Sequence, residues 1–126
     1  MSRHLDPGFV SSTLNRGKAI ACFLGAGPEQ AGDPTIRWLL VRMRDGEFRV
    51  SLFEAIDPRD PSFLDIGEFQ STGPEPGDPI EETVCETVEA ALEQATVWGA
   101  DPTCFVNESM IGDEYGDYLD KVLSQS

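Results

Sequence analysis

The chain has 126 residues, 40% of them hydrophobic and 25% charged, a composition that excludes disorder and collagen-like repeats and fits one α+β-sized domain around one core. A chain of this length buries roughly two-thirds of the surface its unfolded form exposes, so it needs no disulfide or metal staple to fold. Nine Lys and Arg against 23 Asp and Glu give a net charge of −14, which argues against nucleic-acid backbones and anionic membranes as partners and for a basic one.

The charge is unevenly placed. Residues 1–49 carry seven basic and five acidic residues, a balance of +2, whereas residues 50–126 carry two basic and 18 acidic, a balance of −16. No apolar run approaches the roughly 20 residues needed to span a bilayer, and Met1 to Pro7 shows no signal-peptide core, so a cytoplasmic location is expected. Cys22, Cys85 and Cys104 are odd in number, form no C-x-x-C and sit among apolar neighbours; they read as buried free thiols of a reducing compartment.

In chain order, Asp6-Pro7 starts a short helix that ends at Asn15-Arg16-Gly17. Lys18 to Leu24 is an apolar run bounded by glycines and reads as a strand, followed by a Gly/Pro-rich loop from Gly25 to Pro34. Thr35 to Arg44 alternates with apolar residues on both faces, as a central strand does. Asp45-Gly46 is a hairpin turn, because a type I′ turn requires positive φ at both central residues, and Glu47 to Ala55 is the return strand. A double-proline turn over Asp57 to Pro61 leads to a fourth expected strand, Phe63 to Gln70, with Gly67 as a bulge.

Asp78, Pro79 and Glu81 spell a helix N-terminus with a capping box, and Ile80, Val84, Val88, Leu92 and Ala95 mark one buried stripe, so a long helix is expected up to Gly99. Thr103 to Asn107 reads as a fifth short strand and Asp113 to Leu123 as a last helix, with Tyr115, Tyr118, Leu119 and Val122 inward. The expected fold is α+β: an antiparallel meander of four to five strands, packed by one long helix and short terminal helices.

Glu82, Glu86, Glu89 and Glu93, at steps of four, three and four, then line one face of the long helix. From Asp65 to Glu93 nine acidic residues meet no basic one, which is unusual for a solvated helix face, where i,i+4 ion pairs normally mix the signs. Asp113, Glu114, Asp117 and Asp120 extend the anionic surface around the last helix, although the first two are also ordinary first-turn carboxylates. These eight residues are the expected partner-binding surface.

Other chemistries fit poorly. The spacing around Asp113 does not make a calcium loop, and no metal site is expected. Gly25-Ala26-Gly27 lacks the third glycine and the helix of a dinucleotide fingerprint, so no cofactor is expected. His4 is the only histidine, which leaves a Ser or Cys nucleophile without an imidazole base; a carboxylate pair remains conceivable, but catalysis is not expected. Trp38, Trp98, Phe9, Phe105, Tyr115 and Tyr118 are expected in the core.

The segment Phe63-Leu64-Asp65-Ile66-Gly67, the polar loop, the helix from Ile80 to Trp98 and the turn Gly99-Ala100-Asp101-Pro102 with its short strand together resemble the immunity proteins of bacterial polymorphic toxin systems. The resemblance spans residues 35–107 and rests on layout and acidity. It implies a protein that neutralises a toxin by presenting an acidic surface to the basic active-site cleft, with no cofactor. An acidic chaperone of type III secretion is the alternative, and a small enzyme the third. The chain is then a monomer in the first case and a dimer in the second.

Overall fold

The computed structural model describes residues 3–75 and 77–124. The elements run α1 (Pro7–Asn15), β1 (Ile20–Gln30), β2 (Asp33–Arg44), β3 (Glu47–Ile56), β4 (Glu81–Cys85), α2 (Val88–Val97), β5 (Val106–Asn107) and α3 (Ile111–Ser124), with 3-10 turns at Ile66–Glu68 and Glu108–Met110. The five strands form an open antiparallel sheet in the order β4-β3-β2-β1-β5, so the fold is α+β.

The centre of the sheet follows the sequence closely. β2 and β3 pair over ten residues without interruption, and Asp45 and Gly46 turn the hairpin with φ of 54° and 80°. Leu39 and Val41 point to one face with Phe48, Val50 and Leu52, while Ile36 and Trp38 point to the other, so the central strand is covered on both sides. On the first face Val10 and Leu14 of α1 and Ala91 and Ala95 of α2 close the core. On the second, Tyr115 and Leu119 of α3 pack with Ile66 and Phe69 of the long β3–β4 connection.

Several expectations are corrected. The Gly/Pro-rich segment expected as a loop continues the first strand to Gln30 and turns at Ala31-Gly32, whose φ values are 54° and 87°. The strand absorbs it through two bulges, one between Phe23 and Gly25 and one between Gly27 and Gln30, where an extra residue kinks the ladder. Phe63 to Gln70 is not a strand: Ile66 and Phe69 turn inward from an irregular segment, and pairing with β3 is confined to its end, where Ser71 bridges Ala55. The fourth strand is instead Glu81–Cys85, paired with Phe48 to Leu52.

The long helix is accordingly halved. It begins only at Val88, capped by Thr87, whose hydroxyl accepts the Ala90 N–H at 3.1 Å. Its end is as expected: Gly99 takes φ of 112°, Ala100 N–H reaches Ala95 O and Gly99 N–H reaches Thr96 O, the two bonds of a Schellman cap. The fifth strand is shorter than expected, Val106–Asn107, and the last helix starts two residues earlier, at Ile111. Thr87→Ala is expected to lower unfolding stability by about 1 kcal/mol. Asp78→Ala, at the rejected cap, is expected to stay within about 0.5 kcal/mol. Urea denaturation of the two variants checks both, and the reverse ranking would restore the longer helix.

Candidate functional site

β2 and β3 set Trp38 directly opposite Phe53, and their rings stack with centroids 5.4 Å apart and planes 11° from parallel. With Leu40 and Ala21 this pair floors a cleft of about 510 Å³ on the second sheet face. One wall is the connection from Leu64 to Phe69; the other is Glu108 and Ser109 with Ile111 and Gly112 at the start of α3.

Two features hold the walls. Gly112 and Gly116 face Leu64 from α3, and a Cβ on Gly112 would lie 2.9 Å from the Leu64 carbonyl oxygen, so the connection lies against the helix only because glycine is there. Behind the wall, the buried Tyr115 hydroxyl donates to Asp57 Oδ1 at 2.5 Å, and the Arg59 N–H donates to the same oxygen at 2.9 Å. Asp57 Oδ2 is buried with no hydrogen-bond partner among the described residues, and Arg59 Nε stands 3.8 Å away. The Tyr115 ring meets Phe69 edge-on with centroids 5.2 Å apart and Phe23 at 6.1 Å. One phenol therefore ties α3 to the end of β3 and to the connection that walls the cleft.

Burial first, then the hydrogen bond to Asp57, pushes the Tyr115 phenol above the ordinary tyrosine range; burial, then the charge of Asp57, also raises Tyr118. Burial pushes the Cys22 thiol up to about 11. The Cys22 thiol thus stays neutral in its site. Cys85 and Cys104 are only half-buried, contrary to expectation, and all three are free.

The cleft is bordered by carboxylates of two kinds. Glu54 is 2% exposed and fully engaged, its oxygens held by Arg37 Nε at 2.7 Å, Thr72 Oγ1 at 2.7 Å and Gln30 Nε2 at 3.2 Å. Asp65 and Glu108, both exposed, have no side-chain partner among the described residues. The depression continues past Gly77 into two shallower hollows that bring Glu68, Glu75, Asp78 and Glu82 to its margin. Arg42 lies at the far end, and Arg49 is taken up by Glu82 at 3.2 Å.

The eight expected binding residues do not form one surface. Glu82 is on β4, its carboxylate also accepting from Ser51 Oγ at 2.8 Å, and Glu86 lies in the link to α2. Of the four residues of the expected stripe only Glu89 and Glu93 share a helix, α2, which covers the face opposite to α3. On α3, Arg3 Nη1 contacts Glu114 at 2.5 Å and Asp117 at 2.7 Å, and His4 Nε2 is 2.7 Å from Glu114. His4 also bridges Val106, and Leu5 N–H bonds Phe105 O. Asp113 and Asp120 stay exposed. Among the expected core aromatics Phe105 and Tyr115 are buried and Trp38, Trp98 and Tyr118 half-buried, but Phe9 is 64% exposed, because α1 turns Val10, Thr13 and Leu14 inward instead.

The cleft floor and the pair Asp65 and Glu108 were missed at the sequence level. Their only signal was Trp38 and Leu40 on the second face of a strand known to be covered on both sides. Among the described residues no group of three His, Cys, Asp or Glu side chains is placed to hold a metal ion, and no helix is long and apolar enough to cross a membrane. No family model, curated protein or solved structure matches the chain.

The raised pKa values have a pH consequence. Folded Cys22 and Tyr115 keep protons that the unfolded chain releases above about pH 9 and 10, so the unfolded state binds fewer protons there. The contribution of these two protons is complete below pH 9.0, falls through the Cys22 range up to about 11, and falls further above 10.0 as unfolded tyrosine ionises. Each retained proton contributes a slope of about 1.4 kcal/mol per pH unit. Tyr115→Phe is expected to cost about 1–3 kcal/mol at pH 7, by leaving the buried Asp57 carboxylate short of a donor, and to make the loss above pH 10 shallower. Denaturant titrations from pH 7 to 11 read both effects; a variant with the parental slope contradicts the assignment.

Proposed function

We propose that the protein is a binding protein that captures a basic protein partner on the second sheet face, and that its role is the neutralisation of a toxin, as in immunity proteins. The observation that carries the reading is the aromatic cleft over Trp38 and Phe53, with a carboxylate on each wall that has no side-chain partner among the described residues. An apolar floor supplies binding energy through desolvation, and the uncompensated charge around it steers a cationic partner and raises the association rate.

The site differs from the helix stripe in what it asks of the partner. A stripe of carboxylates alone would attract any cation and hold none tightly, since exposed ion pairs contribute about 0–1 kcal/mol each. A cleft that also buries aromatic surface converts encounter into slow release. The neutraliser then acts by occlusion: its anionic cleft covers the basic substrate-binding surface of the toxin, and no chemistry by this chain is required.

Binding to any toxin domain encoded beside this gene tests the proposal. Asp65→Lys with Glu108→Lys is expected to weaken binding at least 100-fold, through slower association as well as faster release, whereas Glu89→Lys with Glu93→Lys changes it less than threefold. Tight binding that survives the first pair and collapses with the second would move the interface to α2, and no binding at all would end the neutraliser reading.

A further inference from the structure

The walls of the cleft narrow the choice of what enters it. Asp65 comes from the β3–β4 connection and Glu108 from the 3-10 turn before α3, so the two carboxylates flank the aromatic floor from separate elements. Neither has a side-chain partner among the described residues, while Glu54, the third carboxylate of the lining, already has Arg37. A neutral apolar anchor would fill the floor but strip water from two unpaired carboxylates as it docked, which is costly. A lysine would bring charge as a compact, strongly hydrated ammonium. A guanidinium is planar, more weakly hydrated, lies flat against aromatic rings and offers donors along two edges.

We propose that the anchor is an arginine of the basic partner, its methylene stem against Trp38 and Phe53 and its guanidinium shared between Asp65 and Glu108. The inference rests on the reading of this cleft as the docking surface and adds the chemistry of the group that fills it. At about 510 Å³ the cleft is larger than one side chain, so residues flanking the arginine enter as well. The occupant is therefore a segment of a protein.

The chain has two tryptophans, so Trp98→Phe leaves Trp38 as the only one and makes its fluorescence a reporter of the floor. The probes are acetyl-Leu-Arg-Leu-amide, its Gln analogue and free ethylguanidinium, titrated at low ionic strength. The arginine peptide is expected to change Trp38 emission with a Kd at least tenfold below that of the Gln peptide. Asp65→Asn with Glu108→Gln in the same background, its fold checked by circular dichroism, is expected to abolish that preference.

Equal binding of the Gln peptide, or a preference that survives the double variant, overturns the arginine anchor while leaving a docking cleft in place. Ethylguanidinium binding as tightly as the peptide makes this a site for free small cations and overturns a protein anchor. Silence from all three probes rejects the anchor, and toxin binding that still depends on Asp65→Lys with Glu108→Lys then shows that the broader docking proposal has not failed with it.

Discussion

The bond from the Tyr115 hydroxyl to Asp57 is the contact on which the second face of the sheet depends. Asp57 follows directly on β3, and its carboxylate is wholly buried, a position that is costly for a charge unless donors reach it. Tyr115 supplies one donor from α3 and the Arg59 backbone a second. Because the phenol belongs to the helix and the carboxylate to the sheet, the bond sets how far α3 reaches across the sheet. It stops over β1, and the strip above β2 and β3 is left to the connection and the cleft. Gly112 and Gly116 then let that connection lie against the helix.

The same geometry changes what the net charge means. Read along the chain, the acidic excess belongs to the C-terminal half; in space, many of those carboxylates are engaged. Glu54 has Arg37, Glu82 has Arg49, and Glu114 and Asp117 have Arg3, all three cations coming from the near-neutral N-terminal half. Folding thus brings the scarce positive residues of one half onto selected carboxylates of the other. Among the described residues, those left without a cation include Asp65 and Glu108 at the cleft, and there the excess faces an apolar floor.

Much of the fold was legible in the sequence where local chemistry had one reading. Asp45-Gly46 admits little but a type I′ turn, Asp6-Pro7 little but a helix start, and two apolar faces on Ile36 to Met43 little but a central strand. The errors arose where a local signal had two readings and a distant partner decided. The steps of four from Ile80 to Val84 to Val88 fit one face of a helix, but in the strand Val84 stands opposite Arg49 and is 47% exposed, while Thr83 and Cys85 face the core beside Val50 and Phe48. The open edge of β3 needed a partner for Phe48 to Leu52, and Glu81–Cys85 supplied it, overriding a well-formed capping box. Phe63 to Phe69 carried enough apolar residues for a strand, but once that edge was taken it served as a lid over Ile36 and Tyr115. Ala31 in a positive-φ turn had no signature at all, since alanine is not selected for that conformation. The candidate site was the least legible part, because its floor comes from β2 and β3 and its walls from segments far apart in the chain.

The claim that the cleft is the docking surface is tested most directly by amide hydrogen exchange of the protein alone and in complex with its basic partner. The account predicts that slowed exchange on binding centres on residues 63–69 and 108–112, the two walls, with α2 unchanged. Protection confined to residues 88–97, with both walls exchanging as in the free protein, would contradict it.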